Sequence, residues 1–194
     1  MDGAEVHRDR LLALHDQLAQ HDGYLVVDEA FADAAPACSV ASLAGSKRYP
    51  RLLVLRSFGK FYGLAGLRLG FVLGAADDIA ALDAMVGPWP ISGPAIEIGG
   101  KALLDRNWVD ATRVRLEEDS LRLDGIVKRA GWTLVGGTPL FRLYNVGNAA
   151  AMQERLARAR IWSRIFREKP NWLRLGLPGD ETEWARLSEA LSTR

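Results

Sequence analysis

Ser57-Phe58-Gly59-Lys60-Phe61-Tyr62-Gly63-Leu64-Ala65-Gly66-Leu67-Arg68-Leu69-Gly70 decides how this 194-residue chain is read. The stretch sets one lysine among small and apolar residues, with Ser57 before it and Arg68 after it. Gly59, Gly63, Gly66 and Gly70 let the backbone fold closely around whatever that amine touches. Upstream, the apolar run Tyr24-Leu25-Val26-Val27 ends in Asp28-Glu29. This pattern predicts a short buried strand from Tyr24 to Asp28 that closes on a buried aspartate.

An amine, a hydroxyl, a guanidinium and a carboxylate together meet the needs of pyridoxal phosphate. The aldehyde of that group requires an amine, and its phosphate requires hydroxyl and guanidinium donors. Its ring nitrogen requires a carboxylate to stay protonated. Taken alone, Asp28-Glu29 also fits the magnesium-holding end of a nucleotide-hydrolysing fold, or simply a polar strand end. The nucleotide reading needs a phosphate loop of the form G-x-x-x-x-G-K-[ST]. Gly99-Gly100-Lys101-Ala102 lacks both the first glycine and the hydroxyl after the lysine, and it follows the acidic strand, so that reading is rejected.

On these motifs the chain resembles the fold-type I pyridoxal phosphate enzymes of the class I/II aminotransferase superfamily. Within it, the sequence is most similar to the threonine-phosphate decarboxylases of cobalamin biosynthesis and to the histidinol-phosphate aminotransferases. The resemblance implies that Lys60 is the Schiff-base lysine and Asp28 the partner of the ring nitrogen. It makes Ser57 and Arg68 ligands of the cofactor phosphate. Trp172-Leu173-Arg174-Leu175-Gly176-Leu177-Pro178-Gly179 resembles the late strand whose arginine holds the substrate carboxylate, which points to Arg174. Arg164 stands where relatives carry an Arg-Pro pair near the substrate phosphate, with Ile165 in place of the proline. Phe31 replaces a tyrosine that many aminotransferases carry three residues after the aspartate.

The activity implied is decarboxylation of L-threonine O-3-phosphate. Transamination of the histidinol-phosphate type is the alternative, because Lys60, Asp28, Ser57 and Arg68 serve both reactions. A third reading is a catalytically silent domain. The resemblance covers only the later part of the family's length, and the sequence opens at Met1-Asp2-Gly3, about where the family's asparagine-proline motif ends. Little turnover is therefore expected of this chain alone. The partners implied are a small phosphorylated amino acid and a second copy of the chain in a homodimer.

Composition excludes several other classes. A net charge of +1 gives no global attraction to nucleic acid or to a membrane surface. Cys38 is the one cysteine, which excludes an intrachain disulfide and a multi-cysteine zinc site, and His7, His15 and His21 form no metal cluster, so no metal is expected. No apolar run approaches the ~20 residues of a membrane-spanning helix, and the cytoplasm is the expected compartment.

Apolar spacing predicts helices at 8–20, 77–86, 109–130, 152–159 and 181–191, with another opening at a Ser92 cap and running to 104. Strands are expected at 24–28, 51–57, 67–73, 132–135, 140–144, 161–164 and 172–175, and one or two helical turns at 39–44. The expected fold class is α/β: the latter part of a large domain with a mixed, mostly parallel sheet and flanking helices (1–106), then a C-terminal α+β small domain (107–194). Trp89 fits either a dimer interface or the core.

Overall fold

Leu25, Leu52 and Val54 are the residues around which the first half of the chain condenses, each almost fully buried. They belong to β1 (Leu25–Asp28) and β2 (Leu52–Ser57), which pair in parallel, and β3 (Gly70–Leu73) adds to β2 antiparallel. Helix α1 (Arg8–Ala19) lays Leu11, Leu12 and Leu18 on one face of this mixed sheet, against Leu25, Val40, Leu52 and Val54. The computed structural model describes residues 3, 4 and 6–192. Met1 and Asp2, where the sequence opens, lie outside the described residues.

The chain divides into two compact units, Glu5–Val109 and Asp110–Arg194, with Gly3 and Ala4 grouped with the second. In the first, α2 (Ala76–Val86) follows β3, and α3 (Gly93–Leu104) starts where the Ser92 hydroxyl accepts the Ala95 N–H. A second apolar cluster joins Phe58, Leu69 and Ala95. Gly99 of α3 sits where an added Cβ would stand 2.4 Å from Leu69 Cδ2, so the helix packs closely there. The sequence Gly99-Gly100-Lys101 is therefore helix interior and not a loop.

Helix α4 (Arg106–Arg129) begins in the first unit, where the Asp105 carboxylate accepts the Trp108 N–H, and continues into the second. The second unit holds a four-stranded antiparallel sheet in the order β4 (Thr133–Thr138), β5 (Phe141–Asn145), β7 (Lys169–Gly176), β6 (Arg164–Phe166). Helices α5 (Ala149–Arg158) and α6 (Glu181–Ser192) complete it. Tyr144, Leu156, Leu173, Trp184 and Leu187 meet in one continuous core. Tyr144 is satisfied inside it, because its hydroxyl donates to Asp124 at 2.7 Å while Arg142 pairs with the same carboxylate.

Several expected boundaries move, three of them for a clear backbone reason. β3 starts at Gly70 and not at Leu67, because Ala65–Leu67 makes a 3-10 turn and Arg68 takes a left-handed φ of 55°. β4 runs on through Gly136–Thr138, absorbing the glycines with a bulge between Leu134 and Gly136. A Cβ on Gly137 would lie 2.6 Å from the Phe141 carbonyl oxygen, which explains how that tight hairpin closes. β6 begins at Arg164, because Arg160 is left-handed and the Ile161 N–H still closes onto Leu156 O at the end of α5. The expected burial of β1 also fails on one face: Val26 and Asp28 are exposed while Leu25 is buried.

Candidate functional site

The glycine-rich stretch closes on itself through its backbone. Phe58 N–H donates to Leu69 O, Leu64 N–H to Phe58 O, and Gly63 N–H to Lys60 O at 3.1 Å. Phe58 and Phe61 turn inward and are buried, which anchors the loop and leaves the intervening Lys60 exposed. Tyr62 stacks on Trp108 with ring centroids 5.8 Å apart, pinning the far side. The apolar residues around Lys60 thus make a scaffold that presents the amine without enclosing it. Lys60 Nζ lies 5.4 Å from the centre of the Phe31 ring, within cation–π range.

Ser57 stands at the end of β2, and its hydroxyl accepts the Gly59 N–H at 3.1 Å. A Cβ at Gly59 would press within 3.3 Å of Ala65 Cα and 3.5 Å of the Ser57 hydroxyl. Arg68 is exposed, and its guanidinium makes a long contact to Ala65 O at 3.4 Å. Its left-handed backbone is unusual for a residue with a side chain and points to a locally imposed geometry. Hydroxyl, amine and guanidinium therefore come from one closed loop that a larger residue at 59 would crowd. That set of donors suits an anionic aldehyde.

Sheet register separates the two acids that the sequence leaves side by side. Asp28 pairs with Leu55, and Ser57 pairs with Gly70, so Asp28, Leu55 and Ser57 share one face. Asp28 is exposed, contrary to the sequence expectation, and its Oδ1 accepts the Ala30 N–H at 2.9 Å. Glu29 turns to the other face and is 7% exposed. There its carboxylate accepts the Ser39 hydroxyl and the Val40 N–H, each at 2.6 Å, and meets Arg56 at 3.4 Å. Arg56 also pairs with the buried Asp33. The sequence reading missed this cluster, although an arginine inside a strand is itself a sign that buried carboxylates stand opposite.

Arg174 and Arg164 are cross-strand partners in the second unit, on β7 and β6. The Arg174 guanidinium lies 4.6 Å from the Phe141 ring centre, and Arg164 reaches the Phe166 ring at 5.5 Å. Burial first, and then the like charge of Arg164, pull Arg174 below the ordinary arginine value. The ion pair that would make Arg174 merely structural is not found: among the described residues no carboxylate pairs with Arg174 or Arg164. Two adjacent guanidiniums with no counter-charge leave room for an anionic ligand. Among the described residues no group of three or more His, Cys, Asp or Glu side chains could hold a metal ion, and no helix is long and apolar enough to cross a membrane.

Comparison with known proteins follows from this geometry. The family model described as aminotransferase class I and II matches residues 1–191. The threonine-phosphate decarboxylase of Pseudomonas aeruginosa is 47% identical over 181 residues, covering 93% of this chain and 54% of that protein. The histidinol-phosphate aminotransferase of Aeromonas salmonicida is 40% identical over 101 residues, or 52% of this chain and 28% of that protein. Among solved structures, the histidinol-phosphate aminotransferase of Sinorhizobium meliloti, determined in complex with pyridoxal-5'-phosphate, superposes with a TM-score of 0.84 at 23% identity. That superposition covers 97% of this chain and 53% of that one, and it shows a shared fold-type I architecture. The chain spans about half the length of the curated decarboxylases it matches.

Proposed function

This chain belongs to the class I and II aminotransferase family, and from that premise we propose that the whole protein is a pyridoxal phosphate-dependent decarboxylase of L-threonine O-3-phosphate. The observation that carries this reading is the extent of the similarity. The decarboxylase of P. aeruginosa matches across 93% of the chain, C-terminal unit included, whereas the aminotransferase of A. salmonicida matches 52%. The resemblance assigns the reaction to cobalamin biosynthesis, in the cytoplasm and as a homodimer. The Glu5–Val109 unit then corresponds to part of the large domain and the Asp110–Arg194 unit to the small one.

Pyridoxal phosphate supplies an electron sink for a bond breaking at the substrate α carbon. The residues of this chain do the rest. Ser57 and Arg68 bind the cofactor phosphate, with hydroxyl and guanidinium donating to its oxygens. Asp28, on the same sheet face as Ser57, holds the proton of the ring nitrogen. Lys60 would be the cofactor's covalent anchor and would supply the general acid/base that moves a proton at the α carbon. Its exposure suits an amine that must be released and re-engaged in every cycle. Arg174 orients the substrate carboxylate, and Arg164 receives its distal phosphate.

A second reading, a silent domain, has one observation in its favour. On the sheet face that carries Asp28, Val26 is 54% exposed and Val72 38% exposed, so the floor of the site is open to water in this chain. Two measurements on the whole protein decide between the readings. Borohydride trapping with pyridoxal phosphate and peptide mapping should place the adduct on Lys60, and Lys60→Ala should abolish it. L-threonine O-3-phosphate should release carbon dioxide without consuming an oxo acid. Consumption of an oxo acid would select the aminotransferase, and an adduct on Lys47, Lys101, Lys128 or Lys169 would overturn the site.

A further inference from the structure

We propose that Arg56 is a positioning residue: by clamping Glu29 and Asp33 it holds the segment 28–33, and with it Asp28 and Phe31, in register with the Lys60 loop. The inference rests on the cofactor reading of Lys60 and Asp28. Arg56 is the residue immediately before Ser57 on β2, and it points to the sheet face opposite Asp28. Its guanidinium reaches Glu29 with one nitrogen and Asp33 with another. Glu29 continues the parallel ladder by donating its N–H to Leu55 O at 2.9 Å, and its carboxylate fixes Ser39 and Val40 beyond the segment.

The residues that face the chemistry lie between those anchors. Asp28 directly precedes Glu29, and its carboxylate orientation depends on the Ala30 N–H. Phe31 lies between Glu29 and Asp33 and places its ring 5.4 Å from Lys60 Nζ. Beyond the Glu29 N–H, which bonds Leu55 O, the segment turns through Ala32 N–H to Glu29 O and Ala34 N–H to Phe31 O. Such turns fix local shape but not the placement of residues 30–33 against β2. Arg56 supplies that placement, because its backbone belongs to the strand that leads into Ser57 and Lys60. A planar guanidinium can bridge two carboxylates at once, which an ammonium cannot do with the same geometry. The clamp also occupies Glu29 and Asp33, which leaves Asp28 as the acid of this segment not engaged by Arg56.

Amide hydrogen exchange and timed pyridoxal phosphate trapping on the full chain test this with Arg56→Met, the milder Asp33→Asn, and Arg56→Lys. In Arg56→Met and Asp33→Asn, exchange at Ala30, Ala32 and Val40 should speed at least about tenfold, while Val54 and Leu55 keep their protection. Trapping should still occur on Lys60, slower by about tenfold to a hundredfold in Arg56→Met, since small misplacements of reacting groups cost rates of this order. Arg56→Lys should recover part of that loss. Unchanged exchange at Ala30 and Val40 would overturn the proposal. So would a uniform rise across β1 and β2, which marks a purely structural role, or local loosening with an unchanged trapping rate. An adduct on another lysine in the unsubstituted chain would instead overturn the cofactor reading, and the role assigned to Arg56 would fall with it.

Discussion

The two units of this chain are held together by different physics. The Asp110–Arg194 unit has a large apolar core, in which Leu123, Tyr144, Leu156 and Leu173 are fully buried and the Tyr144 hydroxyl finds Asp124. The Glu5–Val109 unit divides its apolar residues between a cluster under α1 and a smaller one around Phe58. Between the strand ends it relies on the polar cluster of Glu29, Arg56, Asp33, Ser39 and Val40. Its other sheet face is left open at Val26 and Val72. The difference teaches where reactive groups can be placed. The core-centred unit carries its arginine pair on the sheet, whereas the unit tied by directional bonds leaves an exposed lysine and carboxylate at its edge.

The strongest test of that contrast is Glu29→Ala. Removing Glu29 leaves the Ser39 hydroxyl and the Val40 N–H without their acceptor and Arg56 with Asp33 alone, at a cost of about 3–5 kcal/mol. Urea unfolding followed by signals from each unit should show the loss in the Glu5–Val109 unit. A change under about 1 kcal/mol would mean that the polar cluster does not hold this unit. The resemblance gives the chemical role to Asp28, while burial and bonding make Glu29 the acid on which stability should depend. Leu173→Ala probes the other side of the comparison. It should cost about 2–5 kcal/mol, depending on how far the core can relax into the space, and the loss should fall on the Asp110–Arg194 unit.

Smaller effects sharpen the picture. Alanine in place of Gly99 gains up to about 1 kcal/mol in helix propensity. The added Cβ would however press on Leu69 Cδ2, and crowding of a packed site costs about 1–3 kcal/mol. A net loss of about 1 kcal/mol is expected, and a gain in thermal midpoint would show that Leu69 swings aside without cost. Val72→Thr, on the open face, should change stability by no more than about 0.5 kcal/mol while reducing self-association measured by light scattering. A Val72→Thr loss comparable to that of Leu173→Ala would show that this face is packed in solution.

Much of the molecule was legible from residue pattern. The Ser92 cap, the span of α2 and the strand that ends in Ser57 follow from spacing and capping chemistry, which act over a few residues and need no tertiary partner. The composition of the Lys60 loop marks it as a place where the backbone can fold closely. Arg174 could be singled out as a charge in an apolar strand, and Arg164 by the family resemblance alone.

Tertiary structure decided what depends on faces and on long-range partners. Burial of Asp28 was expected from the apolar run before it, but alternation along β1 and the register with Leu55 put Asp28 outside and Glu29 inside. The Gly136-Gly137 pair falls between the strands expected at 132–135 and 140–144, yet pairing with β5 drew it into a bulged strand. The pairing of Arg164 with Arg174 arises from antiparallel register, which no local pattern encodes. Sequence by itself determined which chemical groups this protein carries and which short elements hold them, because propensity, capping and turn chemistry are local. Which acid meets Arg56 and which one stays exposed beside the lysine loop was fixed only when β1 and β2 paired, since pairing assigns each side chain to a face.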